Sequence, residues 1–218
     1  MKAFKIIKIA FNGINMDFQD TSKLRGFFAE KNEKNAAFHN HTEIGFLYKY
    51  PEVQYKIIDN TPVIIAFGDA LKPLYKCIME METINISGKE ININNINIDM
   101  YEDKIGETKY SIHYTFLNPW LALNQKNYSK YKILKCEERN ELLSKILIGN
   151  IISLSKHFGI MISGQLETNL NLKEIPVVFK NENMIGFTGN FSVNYNIPDY
   201  FGIGKGVSRG FGTVKLRS

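Results

Sequence analysis

Two histidines, His39 and His41, are separated by one residue in the stretch "FHNHTE". At this spacing an extended backbone places both imidazoles on the same side of the chain. Imidazole titrates near neutral pH, so such a pair can remove a proton from one oxygen and deliver a proton to another. Metal-free cleavage of an RNA phosphodiester requires these two proton transfers. The pair therefore indicates acid–base catalysis, and two solvated loop histidines without a role are the alternative.

A metal site is a weaker interpretation of the same pair. Two neutral imidazoles can share a metal ion, but a transition-metal site needs a third or fourth ligand, and no cysteine or carboxylate cluster lies nearby in the sequence. The two cysteines, Cys77 and Cys136, form no CxxC pair. We expect neither a metal nor another cofactor. Of the four histidines, we assign His113 to the polar face of a strand and His157 to a helix C-terminus.

The stretch "GIGKGVSRGFGTV", residues 202–214, contains five glycines. Its spacing fits neither the phosphate-binding P-loop nor the dinucleotide-binding motif, and too little chain follows to form the helix that both require. A turn before a last short strand would need only one or two glycines. The excess indicates a loop whose backbone closely approaches a ligand, with N–H groups, Lys205 and Arg209 available to bind anions.

A third stretch, "YKYPEVQYK", interleaves tyrosines and lysines. On a sheet, such residues provide faces for base stacking and contacts for phosphates. Core tyrosines and solvated lysines give a similar pattern, so both interpretations stay open. The residues concerned are Tyr48, Lys49, Tyr50, Tyr55 and Lys56.

Composition is compatible with these interpretations without requiring them. The chain has 218 residues, 44% of them hydrophobic, and 27 basic against 22 acidic side chains, for a net charge of +5. A modest basic excess suits a polyanionic partner. The longest uncharged apolar run, 146–154, is too short to span a membrane. With only two cysteines, we expect a soluble cytoplasmic protein.

The hydrophobic period divides the first half into strand, helix, two strands, helix and strand. The predicted segments are a strand at Lys2–Phe11, a helix after Asp20 with Leu24, Phe27 and Phe28 buried, strands "GFLYKY" and "VQYKII" joined tightly at Pro51-Glu52, a further short apolar run "PVIIAF", a helix with Leu71, Leu74, Tyr75 and Ile78 buried, and strand alternation to about Ile98.

The second half repeats this order more loosely. The predicted segments are a strand "YSIHYTF" with Tyr110, Ile112, Tyr114 and Phe116 buried, a linker with Pro119 and Trp120, a helix over about 137–157 ended by Gly159, and strands near 160–172, 176–179 and 186–197. We predict an α+β fold of two tandem ferredoxin-like (RRM-like) domains with antiparallel sheets. Residues 1–100 form the domain with the histidine pair, and residues 101–218 form the domain with the glycine-rich loop.

The terminal "GIGKGVSRGFG" resembles the glycine-rich signature of the repeat-associated RNA-binding proteins of CRISPR systems, the RAMP superfamily. Together with "FHNHT", "YKYPEVQYK" and "NPWLALNQKNY", it resembles the CRISPR-associated Cas-six endoribonucleases, most closely their b subgroup. The resemblance covers essentially the whole chain. The double-histidine segment points to the endonuclease rather than to its structural relatives.

This resemblance implies a metal-independent endoribonuclease that cuts precursor CRISPR RNA once per repeat to produce guide RNAs. It implies that the ribose 2′-hydroxyl attacks the adjacent phosphorus, leaving a 2′,3′-cyclic phosphate and a 5′-hydroxyl. His39 and His41 would be general base and general acid in an order that stays open, with Lys49 or Lys56 stabilising the transition state. Residues implied to bind RNA are Gly202, Gly204, Lys205, Gly206, Ser208, Arg209, Gly210 and Gly212.

The resemblance also leaves a different class of function open. A non-catalytic RNA-binding subunit of a CRISPR effector complex would keep the fold and the loop and would only hold RNA. The expected partner in either case is the CRISPR repeat RNA. Association with other CRISPR-associated proteins and with a second copy of the chain stays open, and we expect no membrane partner.

Overall fold

The computed structural model describes residues 1–32 and 50–217. The strands are β1 (Lys2–Phe11), β2 (Val53–Ile58), β3 (Thr61–Phe67), β4 (Thr83–Ile86), β5 (Lys89–Asn92), β6 (Ile96–Trp120), β7 (Thr168–Phe179), β8 (Glu182–Asn196) and β9 (Val214–Leu216). The α-helices are α1 (Thr21–Lys31), α2 (Leu71–Met79), α3 (Gln125–Ile133) and α4 (Cys136–His157). These strands pair in antiparallel fashion, which confirms the predicted α+β class with antiparallel sheets.

The chain forms two compact units. The N-terminal unit comprises residues 3–103 together with Val207–Gly210, and the C-terminal unit comprises Met1–Lys2, Lys104–Gly206 and Phe211–Ser218. The division falls inside the single strand β6, so no loop separates the two parts of the sequence. The short segment 207–210 therefore packs with residues that precede it in the chain by about a hundred positions or more.

The N-terminal unit is built on three antiparallel strands in the order β2, β3, β1. In this sheet β3 pairs with both neighbours, and alternate side chains of each strand face one apolar core. Leu24 and Phe28 of α1 and Leu74 and Ile78 of α2 are buried in that core, as the periodicity predicts. Phe27 is only partly buried at its edge.

Tyr75 is 40% exposed, although the pattern predicts it to be buried. Leu74 and Ile78 are sufficient to anchor the short helix α2, and a tyrosine at the edge of the stripe can keep its polar end in water.

The C-terminal unit is built on the pairing of β6, β8 and β7. Ile112, Tyr114 and Phe116 of β6 are buried as predicted, but Tyr110 is 68% exposed. The register of β6 against β8 shifts between Glu107 and Ile112, so four residues of β6 are bulged out of the alternation. A bulge of this kind reverses which face a side chain takes, and the alternation extrapolated back to Tyr110 is wrong for this reason.

The predicted linker at Pro119 and Trp120 is also wrong. Both residues belong to β6, and Trp120 is fully buried between the rings of Phe116 and Phe187. Proline is tolerated here because a second register shift lies between Phe116 and Trp120.

Helix α3 has no counterpart in the sequence prediction. Its sequence "QKNYSKYKI" buries only Tyr131, so it has no apolar stripe to detect. Asn124 caps the helix by accepting a 2.8 Å hydrogen bond from the Asn127 N–H. Helix α4 matches its prediction, including Gly159 beyond its end with φ +66°.

The strand predicted near 160–172 begins only at Thr168 and continues without a break to Phe179. Residues before Thr168 are held differently. The Glu107 carboxylate accepts hydrogen bonds from the Ser163 and Gly164 N–H groups at 2.9 and 2.7 Å, and these bonds lower the pKa of Glu107.

Within the described ranges, no helix has the length and apolar character needed to cross a bilayer.

Candidate functional site

The predicted catalytic residues His39 and His41, together with Lys49 and Tyr48, lie outside the described residues. Their place in the sequence is between α1, which ends at Lys31, and β2, which begins at Val53. Across residues 1–32 and 50–217, no three potential metal ligands are grouped as a metal site requires. The candidate residues inside the described ranges are therefore those of the glycine-rich loop and of β2.

Four of the five loop glycines adopt left-handed backbone conformations: Gly204, Gly206, Gly210 and Gly212 have φ of +86°, +77°, +83° and +63°. Residues with a side chain adopt this region at a cost, which explains the choice of glycine. Gly202 is different, because it forms an antiparallel bridge with Thr213. The loop is thus folded back on itself before β9.

Gly204 and Gly206 also give room to aromatic side chains of the C-terminal unit. A Cβ atom at Gly204 would lie 2.6 Å from Nε1 of Trp120, whose indole donates a 3.1 Å hydrogen bond to Asn150. A Cβ atom at Gly206 would lie 3.0 Å from the rings of Phe179 and Phe211. These two glycines thus let the loop pack against the protein's own aromatic residues.

Gly212 approaches the loop backbone itself. A Cβ atom there would lie 2.0 Å from the carbonyl oxygen of Ile203, and the Gly212 carbonyl accepts a 2.9 Å hydrogen bond from the Ile203 N–H. The Gly212 N–H donates to the carbonyl of Pro119 at 2.8 Å. Some of the loop N–H groups that the sequence suggested for anion binding therefore donate hydrogen bonds to the protein's own carbonyl groups.

Two donors in the loop differ from the rest. In the part of the chain that the structure describes, neither the Gly204 N–H nor the Gly206 N–H has a hydrogen-bond acceptor. They flank Lys205, which is exposed and has its Nζ 5.1 Å from the centre of the Phe179 ring. Two amide donors beside a lysine form an arrangement that suits an anion such as a phosphate.

The remaining loop residues belong to the N-terminal unit. Val207–Arg209 form a short 3-10 helix that contacts α1 and β2, and a Cβ atom at Gly210 would lie 3.1 Å from the carbonyl oxygen of Tyr55. Burial, and to a lesser extent the positive charge of Arg25, lower the pKa of Arg209. Arg25 on α1 is thus a further cation beside the predicted RNA-binding residue Arg209.

The sequence reasoning missed Arg25. A basic residue inside an amphipathic helix carries no signal of its own, because most such residues are only solvated. Its relevance comes from the fold, which places a segment near the C-terminus against α1.

Tyr55 and Lys56 occupy opposite faces of β2, and both are buried. Tyr55 packs against Phe28 in the core of the N-terminal unit, so it provides no base-stacking face. Within the described residues its hydroxyl has no hydrogen-bond partner, and burial raises its pKa. Lys56 lies opposite Val63 of β3 with none of its surface exposed, and burial lowers its pKa from the usual 10.5 to about 7.

The low pKa of Lys56 predicts a specific dependence of stability on pH. The unfolded chain binds a proton at Lys56 up to about pH 10.5, whereas the folded chain releases it near pH 7. Burial of the charged Lys56 amine therefore lowers the free energy of unfolding by its full amount below about pH 7, and this effect disappears as the pH rises toward 10.5. Lys56→Met removes this titrating group, so the stability of the variant relative to the parent should be higher at about pH 6 than at about pH 10, by roughly 3–5 kcal/mol.

Urea unfolding of both proteins at several pH values measures this difference. Lys8→Met is the control, because Lys8 is a partly exposed lysine of the same sheet, paired with Asp99 at 2.9 Å. An advantage of Lys56→Met that does not change with pH would contradict the prediction.

Comparison with known protein families agrees with this architecture. A model described as the Cas6b N-terminal domain matches residues 2–104, and one described as the Cas6b C-terminal domain matches residues 106–217. The chain belongs to the Cas6b family. The resemblance seen in the sequence, including the b subgroup, is confirmed.

Solved structures of Cas6b proteins superpose on nearly the whole chain. A crystal structure of Cas6b is 42% identical, with a TM-score of 0.94 over 99% of this chain and 100% of that chain. A second, described as the CRISPR RNA processing endoribonuclease Cas6b, is 39% identical with a TM-score of 0.82 over the same shares. The tandem ferredoxin-like fold is confirmed by this similarity.

A relative in sequence comes from an archaeon of the genus Methanocaldococcus. The uncharacterized protein MJ0978 of Methanocaldococcus jannaschii is 40% identical over 138 residues, which are 63% of this chain and 94% of that protein.

Proposed function

We propose that this Cas6b chain is a metal-independent endoribonuclease that cleaves precursor CRISPR RNA within each repeat and thereby produces guide RNAs. The observation that carries the proposal is the match of both Cas6b domains over nearly the whole chain, together with a 39% identical structure described as a CRISPR RNA processing endoribonuclease. The paired histidines supply the chemistry, because they can act without a metal.

The reaction needs one proton removed and one supplied. One histidine of the pair His39 and His41 takes the proton of the ribose 2′-hydroxyl, and the 2′-oxygen then forms a bond to the adjacent phosphorus. The bond from phosphorus to the 5′-oxygen breaks, and the other histidine gives that oxygen a proton. The products are a 2′,3′-cyclic phosphate and a 5′-hydroxyl, and no water or metal enters the balance.

Charge accumulates on the phosphoryl oxygens in the transition state, and a lysine can stabilise it. Lys49 and Lys56 are the candidates. With a pKa of about 7, Lys56 loses part of its positive charge at neutral pH, so a role for Lys56 requires the RNA phosphate to favour its protonated form.

Binding of the RNA backbone is proposed for the glycine-rich loop. The free Gly204 and Gly206 donors and the exposed Lys205 of the C-terminal unit support this role. In the N-terminal unit, Arg209 with its neighbour Arg25 supports it. Phosphate contacts of this kind position the RNA and do not read its sequence.

The decisive experiment is incubation with labelled CRISPR repeat RNA in excess EDTA. We expect one discrete cut per repeat, and we expect a single 2′-deoxy substitution at the cut to abolish it, because the nucleophile is then missing. Deoxy substitutions at neighbouring positions are the matched controls and should leave the cut unchanged. Tight binding without cleavage would instead identify a non-catalytic RNA-binding subunit.

A further inference from the structure

The β-hairpin of β7 and β8 ends in an unusual two-residue turn. Lys180 and Asn181 connect Phe179 to Glu182, with φ of +53° and +64°. Positive φ at both positions is the signature of a type I′ turn, which strongly favours asparagine, aspartate or glycine. Lysine adopts this conformation at an energetic cost.

Two other hairpins within residues 50–217 use ordinary turn residues at the same place. Asp59–Asn60 joins β2 to β3, and Ser87–Gly88 joins β4 to β5, again with positive φ at both positions. Aspartate, asparagine, serine and glycine are turn formers, whereas lysine is not. A residue held at a cost in a turn is a reason to look for a function of its side chain.

Lys180 and Lys205 of the glycine-rich loop both contact the ring of Phe179. Its Nζ lies 5.9 Å from the centre of the Phe179 ring, and the Nζ of Lys205 lies 5.1 Å from the same centre. The ring is held in place, since Phe179 is buried, packs edge-on against Phe211 at 5.5 Å and fills the space left by Gly206. The hairpin tip and the loop thus each place a lysine against the same buried ring.

Both lysines are available to a ligand. Each is exposed, and no carboxylate of the described ranges forms an ion pair with either of them. The acidic residue nearest to Lys180 in the sequence is Glu182, which is also exposed. Both ammonium groups lie within about 6 Å of the same ring centre, so an anion bound beside that ring would be attracted by both charges.

We propose that Lys180 at the hairpin tip and Lys205 in the loop form one site for the sugar–phosphate backbone of single-stranded RNA, contacting adjacent phosphates. The free N–H groups of Gly204 and Gly206 beside Lys205 add donors to the same site. This inference rests on the proposed function, and it makes the hairpin tip a second RNA-binding element of the C-terminal unit.

The test compares Lys180→Asn with the parent, using fluorescence anisotropy of a repeat RNA that carries the cleavage-blocking 2′-deoxy substitution. Asparagine suits the turn, so the melting temperature of the variant should be equal to or above that of the parent. Loss of one phosphate contact should weaken binding about 3- to 10-fold and reduce the slope of log K against log salt by about 0.7. Lys205→Gln should do the same, and the double variant should lose about twice as much slope.

Two further variants separate a specific contact from a change in net charge. Lys180→Arg keeps the charge and should bind like the parent. Lys145→Gln removes an exposed lysine of α4, which lies 3.9 Å from Glu141, and should leave affinity and slope unchanged. Parent affinity and slope in Lys180→Asn would overturn the inference, and so would an equal loss in Lys145→Gln.

Cleavage distinguishes this inference from the proposed function. At subsaturating protein, Lys180→Asn should cut more slowly in proportion to its lost affinity, and a higher protein concentration should reduce this difference, because the site binds RNA and does not take part in the chemistry. If the parent binds RNA with the expected dependence on Lys180 but does not cut, the proposed function fails and the inference stands. If the parent cuts and Lys180→Asn binds like the parent, only the inference fails.

Discussion

His39→Ala and His41→Ala should each lower the rate of RNA cleavage by about 10²-fold or more while leaving affinity for the RNA nearly unchanged. A positioned general acid or base contributes to the transition state, whereas the backbone contacts that hold the RNA are made by other residues. Single-turnover cleavage at saturating protein measures the chemical step, and anisotropy with a 2′-deoxy RNA measures binding separately.

His113→Ala is the matched control, because His113 is an exposed histidine on the polar face of β6. It should cut at the parent rate. If His39→Ala and His41→Ala also cut at that rate, the catalytic assignment is wrong. If they lose affinity in proportion to rate, the two histidines bind RNA and do not transfer protons.

The same variants can order the two roles. The parent should show a bell-shaped dependence of rate on pH, with a general base responsible for the acidic limb and a general acid for the alkaline limb. Each variant should lose the limb of its own histidine. An RNA with sulfur in place of the leaving 5′-oxygen should restore cleavage in the general-acid variant alone, since a thiolate leaves without being protonated.

Gly212→Ala should be far more destabilising than Gly159→Ala, although the two glycines have nearly the same backbone angle. Their φ values are +63° and +66°, so the strain of placing a side chain in the left-handed region is about equal, roughly 1–2 kcal/mol. At Gly159 an added Cβ meets no atom within 4 Å, whereas at Gly212 it would lie 2.0 Å from the carbonyl oxygen of Ile203. Backbone must therefore move only in Gly212→Ala.

We expect Gly212→Ala to lose about 3 kcal/mol more than Gly159→Ala in urea unfolding, and to weaken RNA binding through the displaced loop. If the variant does not accumulate in folded form while Gly159→Ala does, the expected order is still met. Equal stabilities of the two variants would show that the loop adjusts without cost, and that Gly212 is kept for a reason other than packing.

Local patterns in the sequence were enough to predict much of the framework. Strand β1, strand β2 and helix α4 with its terminal glycine follow from periodicity and a helix-ending glycine, because short-range preference and burial agree there. Family membership likewise followed from a few motifs whose residues are close together in the chain.

Other features depend on partners that are distant in sequence. Helix α3 has no apolar stripe, and the exposure of Tyr110 follows from a bulge that only the pairing of β6 with β8 reveals. The sequence left Lys56 open as a phosphate contact or a solvated lysine, yet it is fully buried with its pKa lowered to about 7. In each case a preference measured along the chain is overridden by packing across it.

The glycine-rich loop combines a feature that the sequence predicts with features that depend on packing. Composition alone indicates that its backbone must be unusually free, because five glycines exceed what a turn needs. The use of that freedom is visible only in the folded chain: Gly204 and Gly206 make room for Trp120 and Phe179, and Val207–Gly210 pack in the N-terminal unit. A steric demand is visible in composition, but the identity of the neighbour that imposes it exists only once the chain is folded.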